Sequence, residues 1–236
     1  MPELSSWLSK SFERFTLATL TVSSVEVLTS RLRLVRLEGE ALQRRTWEPG
    51  QEVKIRVGER DYRHYTPISY RQEQGEMEII FYLNQRGPGS RWVEQLRVGQ
   101  PVPLAGPANG APFIPLRLPA LFLGDETALG LGLALQASQP QAGAFQSVIE
   151  VSSSEHSDIM TLFPQLTIIP RLEGQPGSAH IRWLEQAPIA LDQRTCYLVG
   201  HAQSIQAIRQ VLMQRYHLER QGIKTKPYWA DGKRGL

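Results

Sequence analysis

The chain carries a single cysteine, Cys196, in 236 residues. That excludes an intrachain disulfide framework and any Cys-ligated iron–sulfur cluster or zinc site within this chain, and makes a cytoplasmic setting the default expectation. Cys196 itself lies in the apolar run TCYLVG and reads as a buried structural thiol. Long hydrophobic runs are missing too. The longest candidates are broken by Gly, Gln or Asp, so no membrane span is expected. The opening stretch MPELSSWLSKSFERF lacks the unbroken apolar core of a signal peptide. Its Leu4, Trp7, Leu8, Phe12 and Phe15 fall at helical spacing, which predicts an amphipathic helix packed on its own domain. Neither sign of charge dominates, with 26 Lys and Arg against 23 Asp and Glu and a formal net charge of +3. A nucleic-acid binder should show a concentrated basic face, whereas this balance suits a modestly basic site for a small anion. The histidines do not cluster at metal-ligand spacing, so no metal site is expected, and no Ser/His/Asp arrangement suggests itself. Internal repeats and low-complexity segments are absent.

What is there falls into two halves. From residue 16 to about 106, short runs separated by Gly, Pro and polar turns read as strands: LATLTVSSVEVL, RLRLVRLEG, EVKIRV, DYRHYTPIS, MEIIFYLN and QPVPLAGP. That spacing predicts an antiparallel barrel or sandwich. After the Pro- and Gly-rich GPANGAPFIPLRLP, strands (ALFLG, FQSVIEVS, LTIIP, CYLVG) alternate with helical runs (ETALGLGLALQAS and SIQAIRQVLMQRYHLERQ). Alternation of this kind implies a parallel α/β sheet. The expected division is 1–112 for a β-barrel domain with its N-terminal helix, and 113–236 for an α/β domain with a C-terminal Tyr-Trp element.

Three stretches carry chemistry. In RHYTPISY, residues 63–70, strand periodicity puts Arg63 and Tyr65 on one face and His64 and Thr66 on the other. Pro67 should end the pairing, because it has no N–H for a ladder. A guanidinium, an aromatic ring and a hydroxyl suit a planar anionic ligand, but equally an arginine lying along an edge strand beside a core tyrosine. In GPGSRW, residues 87–92, Gly89 allows close backbone approach and Ser90 is a candidate N-cap of a helix whose free amides suit a pyrophosphate. An ordinary Gly-Pro turn is the alternative. In FLGDETALG, residues 122–130, a strand ends at Gly124 and a helix begins through Asp125, Glu126 and Thr127. That is where open α/β sheets bind ligands, although there is no GxGxxG fingerprint, and the acids would repel a phosphate set directly on them. Contact with sugar or nicotinamide amide groups is expected instead, or simply an acidic helix cap. His201, after CYLVG, stands at a ligand-facing edge; His156, His180 and His217 read as surface residues.

The motifs in this order resemble one family. Arg63-His64-Tyr65-Thr66 resembles the Arg-x-Tyr-Thr flavin motif of the ferredoxin-reductase superfamily, and GDETAL closely resembles a signature of the siderophore-interacting proteins, FAD-dependent ferric-siderophore reductases within it. VSSVEVLTSRLRLVRLEGEAL, EPGQEVKI, FQSVIEVSSSEHSDIM and KPYWADGKRG are similar to further family elements, so the resemblance runs over nearly the whole chain. It implies FAD held by Arg63, Tyr65, Thr66, Gly89 and Ser90, with Tyr228 and Trp229 as a stacking lid. It implies NAD(P)H docked near Gly124, Asp125, Glu126, Thr127 and His201, with ferredoxin as an alternative donor. It also implies a ferric siderophore reduced to release Fe(II) near Lys54, Lys226, Lys233 and Arg234, by a monomer with no catalytic acid or base of its own. The basic residues favour a carboxylate or catecholate ligand. Departures from the pattern are Ile68 and Ala230, where the family carries cations, and Gly130, where a proline is common. They keep open a flavin reductase or diaphorase with another acceptor, and a non-catalytic FAD-binding protein.

Overall fold

The computed structural model describes residues 17–233 apart from 60, 85–86, 108–112, 114, 140, 142 and 188. The expected N-terminal helix and Arg234 lie outside the described residues. Seven strands come first: β1 (Ala18–Val27), β2 (Leu32–Glu38), β3 (Val53–Arg56), β4 (Tyr62–Tyr65), β5 (Ser69–Arg71), β6 (Glu76–Tyr82) and β7 (Pro101–Ala105). They form one curled antiparallel sheet in the order β4-β3-β7-β1-β2-β6-β5. Alternation decides which side is inside: Ala18, Leu20 and Val22 of β1 are buried while Thr19 and Thr21 between them are exposed. The core within the curl is built from such positions, among them Leu37, Val53, Ile55, Phe81 and Leu104. Strands β4 and β5 are consecutive in sequence yet occupy opposite edges of the sheet. Thr66 and Pro67 separate them, and pairing resumes where the Ile68 N–H donates to the Glu78 carbonyl at 2.8 Å. Pro67 ends a strand as its missing donor predicts.

The second sheet is fully parallel, with β8 (Ala120–Asp125), β9 (Phe145–Val151), β10 (Thr167–Pro170), β11 (Thr195–His201) and β12 (Ile223–Trp229) in the order β10-β9-β8-β11-β12. The chain runs outward from β8 through β10 and then returns to place β11 on the other side of β8. The carboxyl ends of β8 and β11 therefore flank a topological switch point. Helices α1 (Glu40–Gln43), α2 (Pro88–Glu94), α3 (Leu129–Ala137), α4 (His156–Leu162), α5 (Ser178–Gln186) and α6 (Ala202–Gln214) complete the described elements, with single 3₁₀ turns between some of them.

Several boundaries differ from the sequence expectation. Helix α2 begins at Pro88, with Gly87 at its N-cap, so Ser90 is not a cap. Proline's fixed φ and missing donor suit the first helical turn. Helix α6 ends at Gln214 instead of reaching residue 221; shortly beyond it His217 takes φ 55°, a left-handed conformation that no α-helix continues. Residues 223–229, not among the expected strands, form the edge strand β12, paired from Cys196↔Ile223 to His201↔Trp229. Helices α4 and α5 were not expected at all.

Helix α3 is apolar on every side because it lies between the two sheets. All residues from Leu129 to Leu135 are buried. A Cβ on Gly130 would come within 3.1 Å of the Thr66 carbonyl, and one on Gly132 within 2.9 Å of Ser147 Oγ, so small residues face both neighbours. One apolar cluster joins Leu32 and Ile80 of the first sheet to Leu129, Leu131 and Phe122 of the second half, with Ile68 packed against it. Ile68 thus has a packing role between the halves. A polar latch adds to it: Glu155 Oε1 accepts from Thr29 Oγ1, from Ser30 Oγ at 3.0 Å and from the Arg31 N–H at 3.0 Å, and the Glu155 residue is only 3% exposed.

Candidate functional site

Strand β4 presents two chemically different faces. Register pairs Tyr65 with Val53 and Arg63 with Ile55, which sets Arg63 and Tyr65 toward the inside of the curl. Tyr65 packs edge-on against Phe81 at 4.5 Å, and burial pushes its phenol up to about 12. Gly89 in the first turn of α2 closes over this face: a Cβ there would lie 2.5 Å from Tyr65 Oη and 3.6 Å from Arg63 Cγ. Only glycine lets the helix sit so close. Arg63 Nη1 donates to the Tyr62 carbonyl at 2.7 Å, and no carboxylate lies within ion-pair distance of its guanidinium among the described residues. No side chain caps the start of α2. Ser90 is buried inside that helix, where its hydroxyl donates to Asn84 Oδ1 at 2.9 Å and accepts the Asn84 N–H at 3.0 Å. It pins the loop entering α2. Arg63, Tyr65 and Gly89 therefore meet in one place, with Ser90 shaping the approach.

The opposite face carries Glu52, Lys54, Tyr62 and His64, since residues two apart on a strand share a side and Lys54 is paired with His64. Strand β12 brings Lys226 and Tyr228 to it from the second half. Lys226 Nζ donates to Glu52 Oε1, and His64 Nδ1 stands 3.4 Å from Glu52 Oε2. Burial works against the Glu52 charge, yet the hydrogen bonds from His64 and Lys226 hold its carboxyl below the usual range. Lys54 Nζ lies 5.2 Å from the centre of the Tyr62 ring, and burial lowers its ammonium pKa. Burial drives the Tyr228 phenol far up; Glu52 and Thr66 lie beside its hydroxyl, which has no hydrogen-bond partner. Thr66 is itself buried between the faces. Of the four cations expected around a substrate, Lys54 and Lys226 thus converge. Lys233 is exposed beyond β12, where its N–H donates to the Ala230 carbonyl.

At the switch point, Asp125 organises three strand ends. Its carboxylate accepts the Thr127 N–H at 2.9 Å, the His201 N–H at 2.8 Å and the Trp229 Nε1–H at 2.8 Å. Gly200, at φ 110°, leaves the room: a Cβ there would fall 2.5 Å from Asp125 Oδ2. His201 stacks on Trp229 at 4.1 Å, with Nδ1 at 3.0 Å from Ser204 Oγ and Nε2 at 3.2 Å from Asp231. The Trp229 indole is thus fixed on both its face and its N–H. Glu126 turns inward. Its Oε1 accepts the Ser152 N–H at 2.7 Å and its Oε2 accepts from Arg171 Nη2 at 2.6 Å, while Arg171 Nε donates to Glu150 at 2.8 Å. Burial raises the Glu126 carboxyl above its usual range despite Arg171. Gly124, Asp125, Glu126 and Thr127 therefore form a closely packed turn at the switch point, with both carboxylates directed into the protein.

Two expectations change. His180 is buried, not on the surface, with Nε2 3.4 Å from the Val148 carbonyl, and burial lowers its pKa. Ser90 positions a loop instead of capping a helix. Sequence reasoning missed Glu52, Arg171 and Glu155. Alternation with Lys54 signals the face that Glu52 occupies, whereas nothing local marks the partners of Arg171 or Glu155.

Comparison with known proteins places this geometry. Residues 58–111 match the siderophore-interacting FAD-binding domain, and residues 119–232 match the siderophore-interacting protein family. The ferric vibriobactin reductase ViuB of Vibrio cholerae is 27% identical over 177 residues, covering 72% of this chain and 65% of that protein, so the chain spans about two thirds of this relative's length. Among solved structures, the siderophore-interacting protein SipS from Aeromonas hydrophila superposes with a TM-score of 0.74 at 22% identity, covering 93% of each chain. The flavohem-like FAD/NAD-binding domain of nitric oxide dioxygenase from Vibrio cholerae does so with a TM-score of 0.69 at 15% identity, covering 90% of this chain and 98% of that one. The fold is ferredoxin-reductase-like, a curled antiparallel sheet followed by a parallel one. The chain belongs to the siderophore-interacting protein family, with the family's FAD-binding domain matched first along the sequence.

Proposed function

We propose that the protein is a flavin-dependent oxidoreductase that reduces ferric siderophores and releases Fe(II), drawing electrons from NAD(P)H or ferredoxin. The observation that carries this reading is the meeting of Arg63, Tyr65 and Gly89 on one face of β4, with Lys54 and Lys226 on the other. The residues fit FAD. A guanidinium without a carboxylate partner beside an uncapped helix start suits a diphosphate. A tyrosine immobilised by Phe81 and Gly89 suits a planar ring system, and a buried Tyr228 hydroxyl without a partner, next to Thr66, suits a ring heteroatom. Bound there, FAD supplies the chemistry that couples a two-electron donor to a one-electron acceptor.

The chain's own groups then bind and orient. Arg63 and the first turn of α2 hold the phosphates, and Ser90 fixes their approach through Asn84. Asp125 locks the β8 turn to His201 and Trp229, so the nucleotide docks on a switch point with a rigid floor. Lys54 and Lys226 face the iron complex, which is substrate and needs no protein ligands. Reduction of Fe(III), held by hard oxygen donors, to softer Fe(II) loosens that hold. On the division at residue 112, the first half supplies Arg63, Tyr65 and Gly89 to the flavin and the second half the β8 turn to the nucleotide, with Tyr228 reaching back to the flavin; we read the protein as acting as a single copy in the cytoplasm.

A second reading, electron transfer from FAD to a different acceptor, draws on Ile68 and Ala230 standing where cations are expected. The two separate when FAD-loaded protein is supplied with NADH, NADPH or reduced ferredoxin and a ferric siderophore, with released Fe(II) trapped by a coloured chelator. Colour that depends on protein and FAD supports the reductase. A flavin that the donor reduces while no Fe(II) forms favours the second reading.

A further inference from the structure

We infer that Glu52 is a specificity-determining residue that sets the acceptor face for ferric complexes of low net charge and against polyanionic ones. The inference rests on the ferric-siderophore reading above and names the substrate class. Among the described residues, the one carboxylate here, Glu52, is paired with Lys226 and His64, and Lys54 shares its strand face, with Arg56 further along β3 and Lys224 further along β12. The carboxylate is only 11% exposed and hydrogen-bonded to Lys226. The Lys226 charge is therefore already matched inside the protein. Glu52 also stands beside His64 and below the Tyr228 hydroxyl, so the acid lies at the centre of the cluster. Two tyrosine rings lie beside the lysines of this face. Tyr62 lies under Lys54, the Tyr228 ring lies 5.7 Å from Lys226 Nζ, and Ile68 is packed into the core shared by the two halves.

Charge decides which complex fits. A tris-hydroxamate complex of Fe(III) is uncharged, whereas a tris-catecholate complex is a trianion. To use Lys226, a trianion must draw it away from Glu52, leaving a largely buried carboxylate with only His64 beside it, which is unfavourable. The same carboxylate repels the trianion directly. An uncharged complex needs no such rearrangement. It lies against the Tyr62 ring beside Lys54. Counting basic residues along the sequence favours a carboxylate or catecholate ligand; the Glu52–Lys226 pair reverses that preference.

Redox-inert Ga(III) complexes test this without turnover. Calorimetric titration of the FAD-loaded protein with a Ga(III) tris-hydroxamate and a Ga(III) tris-catecholate is expected to show the tighter binding for the hydroxamate. Glu52→Gln keeps the shape but removes the charge. It is expected to tighten the catecholate about tenfold while moving the hydroxamate by less than about twofold. Glu52→Ala should shift the catecholate in the same direction, and the visible flavin spectrum of each variant reports that the fold is kept. Wild-type protein that prefers the catecholate, or variants that leave its affinity unchanged, would overturn the inference. Failure of both complexes to bind the wild type would overturn the ferric-siderophore reading itself, and this inference with it.

Discussion

Replacing Arg171 with Met tests whether the turn after β8 stands on a buried ion cluster. Arg171 bridges Glu126 at 2.6 Å and Glu150 at 2.8 Å, and the two carboxylate side chains are only 2% and 9% exposed. Removing one partner of a buried pair typically costs ~3–5 kcal/mol, because a charge is left without compensation. Water reaches the Arg171 side chain, which is 39% exposed, and can partly solvate what remains. The expected loss is therefore about 2–3 kcal/mol at neutral pH, or a fall in Tm of roughly 5–10 °C for a chain of this size. The pH dependence carries the sign. Burial already raises the Glu126 pKa, with Arg171 opposing that shift, so the variant's Glu126 titrates higher still. A carboxyl with a raised folded-state pKa binds its proton more tightly when folded. The variant's deficit should thus be largest at alkaline pH and shrink as pH falls from about 8 to about 5.5. Urea unfolding of both proteins across that range is the assay. A deficit below about 1 kcal/mol at pH 7, or one that grows on acidification, would refute the reasoning.

Other expectations are independent of it. Glu155→Ala removes the acceptor for Thr29, Ser30 and Arg31 and should lower stability by about 2–3 kcal/mol, read by thermal unfolding. Less than about half a kcal/mol would show that the latch does not hold the halves together. Cys196 is fully buried with its thiol pushed up to about 12, so iodoacetamide should label it only as fast as the protein unfolds; prompt labelling in native buffer would contradict that burial. Arg63→Ala should weaken FAD binding about tenfold to a hundredfold in a flavin-fluorescence titration, with little change in unfolding of the cofactor-free protein. An unchanged affinity would move the phosphate site elsewhere.

Much of the architecture is legible in the sequence because it depends on local periodicity. The alternating positions of β1 and the all-apolar run of β8 announce an antiparallel and a parallel sheet, and Pro67 marks the end of β4. The opposite faces of Arg63 and Tyr65 on one side and His64 on the other follow from strand geometry alone, whereas Thr66, expected beside His64, lies past the end of β4 and is buried. Strand β12 is less legible: its lysines look like a solvated tail until Lys226 meets Glu52, which precedes it by 174 positions. The same limit hides Glu155, whose partners lie at Thr29, Ser30 and Arg31, and the buried setting of His180. Ser90 illustrates a subtler case. A serine before a helical run satisfies the capping pattern, but Pro88 starts the helix earlier and Asn84 takes the hydroxyl. Interactions within a few residues can be read from type and spacing; those that cross between sheets depend on the packing of the whole chain.

The central claim is electron flow from flavin to chelated iron, and a single-turnover experiment addresses it most directly. The protein is loaded with FAD, reduced anaerobically and mixed with a ferric siderophore while the visible flavin absorbance is followed. The account predicts that the oxidised spectrum returns as Fe(II) appears in a ratio of two irons per flavin. A flavin that stays reduced in the presence of both hydroxamate and catecholate ferric complexes would contradict it.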